Sequence, residues 1–305
     1  AETACACGKT CTHDAIGADG VCAGCGTGFT AKVTTPGSTA VYYADGFYPG
    51  TENTRSGMDA AFEHAATGST VTLLGNSPAT GWLDGGKSIY LDLNGKTVGT
   101  LYVGRSDGVN RLTVQGHGNI GSLYVHKDNT ADLTGWTDNM DLLYVYAGGT
   151  VTLSGGTFGN ITFGKGVRAA SLLAPGYAFW RTVDKGYVDA AQASPLTNVT
   201  VVPCPHSRII PGSGTTPSAC AYCGKNDIAA TVNQKVYTDG STAVAAWLAN
   251  GGTLTLYRGF DDSSVTSLAS QLPLTLDLNG FSFNKQVKMT LGGANLTVLN
   301  SREGQ

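Results

Sequence analysis

Charge is scarce in this chain. Only 13% of its 305 residues are Asp, Glu, Lys or Arg, and they leave a net charge of -3. No basic face is available for a phosphate backbone, which argues against nucleic-acid binding. Long apolar runs are missing as well. None approaches the ~20 residues that a bilayer-crossing helix needs, so membrane insertion is not expected. The segment opening at Ala1 has no charged-then-apolar leader, as suits a mature or trimmed secreted chain.

Glycine and cysteine are what the chain has. Its 43 glycines are about double the usual ~7% and imply many tight corners. Its cysteines fall into two matching signatures, Cys11-x-His13 with Cys22-x-x-Cys25, and Cys204-x-His206 with Cys220-x-x-Cys223. The likeness continues downstream. Tyr43-Ala-Asp45-Gly46 answers Tyr237-Thr-Asp239-Gly240, Thr70-Val-Thr-Leu73 answers Thr253-Leu-Thr-Leu256, and Leu91-Asp-Leu-Asn-Gly95 returns as Leu276-Asp-Leu-Asn-Gly280. The chain is therefore a repeat protein, one module plus the first part of a second, and calls for stacked neighbours rather than one globular core.

Each module carries a helix after its cysteine signature and a short extended piece. Met58, Ala61, Phe62 and Ala65 follow the i, i+3, i+4, i+7 spacing of a buried stripe behind Ser56 as cap. The counterpart carries Val244, Trp247 and Leu248 behind Ser241 and Thr242, and Gly68 and Gly251 stand where αL termination is favoured. Beyond the helices the period becomes two, with Leu-Tyr-Val at 101–103, 123–125 and 143–145 and another alternating strand between copies. That interleaving predicts a mainly β fold built of right-handed parallel β-helix modules, each preceded by a small zinc knuckle and a short helix. The segment 172–190 leaves the coil pattern and reads as a cap. The boundaries expected are a knuckle at 1–30, a β-helix module at 31–203 with its cap at about 172–203, a second knuckle at 204–227, and a second module at 228–305.

Three thiols and one imidazole per signature suit a closed tetrahedral Cys₃His zinc site, which stabilises a fold and leaves no open position for chemistry. Cys11, His13, Cys22 and Cys25 would form one site, and Cys204, His206, Cys220 and Cys223 the other. Disulfides are the competing reading for an exported chain, but three cysteines leave one unpaired and the repeated histidine unexplained. Cys5 and Cys7 are compatible with a disulfide, with a substitute ligand pair, or with the remnant of an earlier knuckle. His64, His117 and His126 are isolated and read as surface or packing residues.

Tyr102, Tyr124 and Tyr144 would line up on one outer face, where aromatic rings can stack on sugars. The competing reading is that the helix or the 177–190 segment covers them. Trp136 joins them as a candidate ligand contact. It lies beside Asp128, Asp132, Asp138, Asp141 and Lys127, the best local candidates for an acidic catalytic cluster, with a solvated loop as the plainer alternative. Asp92 and Asp277 each precede Asn-Gly and read as turn-shaping.

The ordered set of Cys-x-His…Cys-x-x-Cys, Tyr-x-Asp and helix, Thr-Val-Thr-Leu, Leu-Asp-Leu-Asn-Gly-Lys, Val-Thr-Leu-Ser-Gly-Gly-Thr-Phe and Leu-x-x-Gly-Tyr-Ala-Phe resembles large secreted or wall-attached repeat proteins of anaerobic Gram-positive gut bacteria. The resemblance spans nearly the whole chain and implies an extracellular or cell-wall location. It also implies an adhesin-like, non-catalytic role in contact with host or dietary glycans or a host surface protein. A carbohydrate-active enzyme on a β-helix and a purely structural stalk are the alternatives. The wall-anchor signal common in such proteins is not among these residues, and the second module reads as truncated after Leu296-Thr-Val-Leu299.

Overall fold

The computed structural model describes residues 3–4, 10–11, 15–47, 54–106, 108–212, 216–291 and 295–302. They divide into two compact units, 1–188 with 192–203, and 189–191 with 204–305.

The first unit is a parallel β-helix whose chain alternates between two sheets. One sheet stacks Ser77–Leu83, Lys96–Val103, Gly118–Val125, Asn139–Val145 and Thr157–Phe163 in parallel. The other stacks Thr70–Leu73, Ser88–Asp92, Arg111–Gln115, Thr130–Leu133 and Thr150–Leu153. Alternation dictates what lies inside. Leu101, Leu123, Leu143 and Ile161 occupy one register row and Val103, Val125, Val145 and Phe163 the next, and all belong to a single buried core. The facing sheet contributes Val71, Leu91, Val114, Leu133 and Leu153 to the same core. Like residues thus stack on like along the coil direction, and each fully buried aliphatic side chain contributes ~1.5–3 kcal/mol.

Bends are set by side chains as well as by glycine. At Asn94-Gly95 the chain runs through φ of 47° and 73°, and Asp92 Oδ1 accepts from the Asn94 amide at 3.0 Å. Asn279-Gly280 repeats this with φ of 46° and 79° and Asp277 Oδ1 on Asn279 N at 3.0 Å. Asparagine and glycine tolerate the left-handed region that such a corner requires, so both aspartates shape turns. A second bend carries two buried asparagines, Asn110 at 0% and Asn129 at 3% exposure. Asn129 Oδ1 accepts from Asn110 N at 2.7 Å and from Asn110 Nδ2 at 3.0 Å, and Asn110 Oδ1 accepts from Lys87 N at 3.0 Å. Three successive coils are tied together by this amide relay.

Antiparallel strands close both ends. Ala31–Thr34 pairs antiparallel with Thr70–Leu73 and with Val41–Tyr43. At the far end Leu196–Pro203 pairs antiparallel with Thr157–Phe163 and with Tyr177–Arg181, which in turn pairs with Gly186–Tyr187. Short strands of reversed direction thus end the second sheet at one end and the first sheet at the other, while Ser77–Leu83, the remaining end of the first sheet, is covered by the helix 57–64. The 172–190 segment therefore contributes to the cap, and the Ala31–Thr34 cap is its counterpart at the other end.

Helix α1, Gly57–His64, packs on the Ser77–Leu83 end of the first sheet. Ser56 Oγ accepts from Asp59 N at 3.1 Å, and Asp45 Oδ1 accepts from Gly57 N at 2.7 Å. Met58, Ala61, Phe62 and Ala65 are buried as the spacing requires. Gly81 makes the contact possible, since a Cβ there would lie 2.6 Å from Met58 Cε. The helix stops at His64 with Ala65 as its cap. Gly68, expected to terminate it, instead lies in the following turn and donates to Ser88 O at 2.7 Å.

The second unit repeats the plan. Ala230–Val232 pairs antiparallel with Lys235–Tyr237 and Gly252–Leu256, and Gly252–Leu256, Leu274–Asp277 and Leu296–Leu299 stack in parallel. Phe260–Ser270 and Phe283–Leu291 form the second parallel pair. Helix α2, Gly240–Asn250, buries Val244 and Trp247 and ends on Gly251 at φ 67°. Its cap is Asp239, whose carboxylate accepts from Thr242 N and Oγ1, both at 2.6 Å, not Ser241 or Thr242, which already lie within the helix. In both units the aspartate of Tyr-x-Asp serves the helix N-terminus, where an anionic acceptor meets unpaired amides. No helix among the described residues is long and apolar enough to cross a membrane.

Candidate metal centre and aromatic row

In the second unit the four expected ligands converge. Cys220 ends the short strand Ala219–Cys220, paired antiparallel with Ile209–Ile210. A tight turn follows, with Cys220 N donating to Lys225 O at 2.9 Å and Gly224 N to Cys220 O at 3.0 Å. Gly224 at φ 69° reverses the chain so that Cys220 and Cys223 project together. Cys204 and His206 arrive from the segment just beyond Leu196–Pro203. His206 has φ 50°, a conformation costing a non-glycine residue ~1–3 kcal/mol and kept where surroundings over-determine it.

The spacing between ligand atoms is informative. Cys204 Sγ and Cys220 Sγ lie 3.6 Å apart, Cys223 Sγ and His206 Nδ1 3.5 Å apart, and all four ligand atoms fall within 4.8 Å of one another. A disulfide would bring two sulfurs to ~2.05 Å. A tetrahedron with metal–sulfur distances of ~2.3 Å and metal–nitrogen of ~2.0 Å has S···S edges of ~3.8 Å and S···N edges of ~3.5 Å. The cluster could therefore hold a metal ion. Cys204 and Cys220 are buried and Cys223 and His206 half-buried, so the cluster has a covered side and an open one.

Electrostatics favour a cation. Hydrogen bonds from Cys204 and then Cys223 hold the Cys220 thiol far below its ordinary value, while the contact with Cys220 pushes Cys204 far up. Hydrogen bonding among the three thiols in this way favours the charged form of Cys220 over those of its neighbours.

The first knuckle has the same backbone where it is described. Cys22 N donates to Thr27 O and Gly26 N to Cys22 O, Ile16 bridges Cys22, and Gly26 has φ 72°, each matching its counterpart around Cys220. Farther on, Leu74 N donates to Thr30 O as Tyr257 N does to Ala229 O. Cys22 is buried and Cys25 half-buried. Cys11 lies on Thr10–Cys11, paired antiparallel with Thr3–Ala4. The Cys11 side chain, His13, Cys5 and Cys7 lie outside the described residues.

Tyr102, Tyr124 and Tyr144 share one register row on the outer face. Trp82 extends it, paired with Tyr102, and sequence reading missed it because Gly81-Trp82-Leu83 replaces the Leu-Tyr-Val triplet. The ring centroids are 4.2 Å apart for Trp82 and Tyr102, 4.6 Å for Tyr102 and Tyr124, and 5.9 Å for Tyr124 and Tyr144. A sugar between two rings would need ~7–8 Å, so it can meet only edges and hydroxyls in this row. His126 and Tyr146 add a second stacked pair at 4.3 Å, and Arg105 sits 4.5 Å from the Trp82 ring. All these aromatic residues are half-buried.

Trp136 does not belong with them. It is fully buried, tilted against Phe158 at 6.0 Å, and donates from Nε1 to Gly118 O at 3.0 Å, so it is a core residue that no outside ligand can touch. The acidic stretch is distributed rather than clustered. Asp132 reaches Arg111 at 3.8 Å and Thr134 N at 3.0 Å, Asp138 meets His117 Nδ1 at 3.3 Å and Gly118 N at 3.1 Å, and Asp128 pairs with Lys127 at 3.8 Å.

No family model, no curated protein and no solved structure matches this chain.

Proposed function

We propose that the chain is a non-catalytic repeat module of an extracellular or wall-attached bacterial surface protein. In this reading structural zinc clasps the head of each module, and the outer face contacts host or dietary glycans. The observation that carries it is the recurrence of one order in both units: Cys-x-x-Cys turn, antiparallel cap, helix, then parallel coils. A unit that repeats whole suits a role that adds with length, such as reach or multivalent contact.

Zinc is favoured by the ligand set. Three thiols and one imidazole, with the Cys204–Cys220 and Cys223–His206 pairs near tetrahedral edge lengths, suit a soft-to-borderline d¹⁰ ion, and a closed set of four stabilises without offering a reactive position. The shared backbone of the two turns supports a second site made by Cys11, His13, Cys22 and Cys25. Metal analysis of the reduced chain should find about two zinc ions. A metal-free chain with oxidised sulfurs would overturn the clasp.

Glycan contact is assigned to the Trp82–Tyr102–Tyr124–Tyr144 row, where phenol hydroxyls and ring edges are presented at the ~4.8 Å repeat of the coils. On a glycan array, the chain should show saturable binding that Tyr124→Ala removes. Binding indifferent to Tyr124→Ala would move the contact elsewhere. An array without signal, from a chain that is folded and metal-loaded, would leave a spacer that holds other domains away from the wall.

A further inference from the structure

We propose a second ligand site, confined to the second unit, in which the metal clasp and the capping sheet together form a cleft for a neutral sugar residue. It rests on the metal reading above but not on the tyrosine row, which lies in the other unit.

The cleft has a volume of ≈ 410 Å³, within the range of small-molecule sites and enough for one or two sugar rings. His206 and Ser207 form the wall from the knuckle. Thr231, Thr253, Thr255 and Tyr257 form the floor, and Asn233 and Gln234 the rim. The register explains the floor. Thr231 stands opposite Thr255 across the antiparallel pair, and alternation puts Thr253 and Thr255 on the same outer face.

Its chemistry is selective. Not one lining residue carries a carboxylate, an ammonium or a guanidinium, and the nearby Asp277, in register with Thr255 and felt by Tyr257, disfavours an anionic ligand. Hydroxyls, two amides and a phenol offer donors and acceptors of the kind that exchange with sugar hydroxyls. Tyr257 hydrogen-bonds with Thr231, and burial pushes its hydroxyl above the ordinary phenol value, so it stays a neutral donor and acceptor.

Asn233 is held in place before any ligand arrives. Asn233 and Gln234 hold φ of 48° and 71°. Asn233 accepts from Thr253 N at 3.0 Å and donates to Gly251 O at 3.1 Å, and Asn233 N donates to Thr253 O at 3.0 Å. Preorganised polar groups lose little freedom on binding. His206 links the parts. The residue that lines the cleft also places Nδ1 3.5 Å from Cys223 Sγ, so a bound metal would fix this wall.

Among the described residues of the first unit, the corresponding positions differ. Lys32 and Leu74 stand where the second unit has Thr231 and Tyr257, and the two-residue turn at Asn233-Gln234 is replaced by the longer run 35–40. Repetition of the fold with divergence of these positions is the pattern of a scaffold that carries a local specificity.

The experiment titrates the full metal-loaded chain with methyl glycosides of neutral hexoses and N-acetylhexosamines, methyl glucuronide serving as the charged control. Binding is followed by amide chemical shifts. At least one neutral glycoside should produce saturable shifts at Thr231, Gln234, Thr253 and Tyr257. Gln234→Ala and Thr255→Val, which leave the cysteine ligands intact, should each weaken binding several-fold, and chelation should weaken it at least tenfold. Shifts that ignore both substitutions, or a preference for the glucuronide, would overturn the proposal. So would no saturation by any neutral glycoside at roughly tenfold above a millimolar constant. Metal content measured on the same samples separates the readings: a metal-loaded chain that binds no sugar refutes the cleft alone, and a chain that takes up no metal refutes the clasp.

Discussion

Replacing Asn129 by alanine tests whether the coils are joined by side-chain amides as well as by their ladders. Asn129 is 3% exposed and Asn110 0%. The substitution removes the acceptor of Asn110 N at 2.7 Å and of Asn110 Nδ2 at 3.0 Å, together with the donor to Gly104 O at 3.5 Å and to Lys127 O at 2.7 Å. Lys127 is exposed, so water replaces that last bond. The Asn110 amide has no such recourse, and an orphaned buried donor costs ~1–3 kcal/mol. Asn110 Nδ2 keeps Gly108 O at 3.2 Å, so its loss is smaller. The expected destabilisation of the first unit is about 2–4 kcal/mol, read by urea unfolding with a coincidence test between probes. Amide exchange at Asn110 should accelerate in parallel. Asn119→Ala is the control, because its contact with Asn139 N at 3.3 Å is exposed and such surface changes stay within about 0.5 kcal/mol. The double variant Asn110→Ala/Asn129→Ala should cost less than the two singles combined. A loss below about 0.5 kcal/mol in Asn129→Ala would refute the reasoning that this bend depends on buried amide pairing.

Other outcomes follow from the same structure. Leu123→Ala, at 0% exposure in the middle coil, should cost about 3–5 kcal/mol in chemical denaturation, and an effect below 1 kcal/mol would contradict the dry column. Gly81→Val should undock α1, since Met58 and Phe62 occupy the space; unchanged helix protection in hydrogen exchange would oppose this. Burial lowers the His126 pKa below 6.5, with Asp84 opposing and Arg105 assisting. The unfolded chain then binds the proton more readily, so this contribution is complete above the unfolded value near 6.5 and is lost as pH falls through the folded value. His126→Phe should flatten that decline, and an unchanged pH profile would count against it. Zinc at a hundredfold excess over its dissociation constant should stabilise the second unit by ~2.7 kcal/mol, a gain that Cys220→Ser should abolish in thermal unfolding.

Much of the architecture was legible because β-helix physics writes a period of two. Leu-Tyr-Val at 101–103, 123–125 and 143–145 gave the register row that the ladders display. Asp92 and Asp277 were readable as turn formers because an aspartate two residues before the asparagine of an Asn-Gly corner reaches that asparagine's amide whatever the surroundings. Trp136 was misjudged since its place in the chain, amid charged residues, says nothing of depth. Only the stacking of coils carries its ring beneath Phe158 and its N–H to Gly118 O. Asn110 and Asn129 were not singled out for a related reason: bends are commonly exposed, and only the packed coil makes an amide there indispensable.

Local sequence determined the alternation of strands, the helix stripes and the Asn-Gly corners, because each depends on residues within a few positions of one another. Tertiary structure decided that two sheets share one column of side chains and that stacked rings hide their faces. It also decided that four ligand atoms from two pairs on either side of the 207–219 loop meet within 4.8 Å. Those outcomes depend on contacts between distant residues, whose energies no short window of sequence contains.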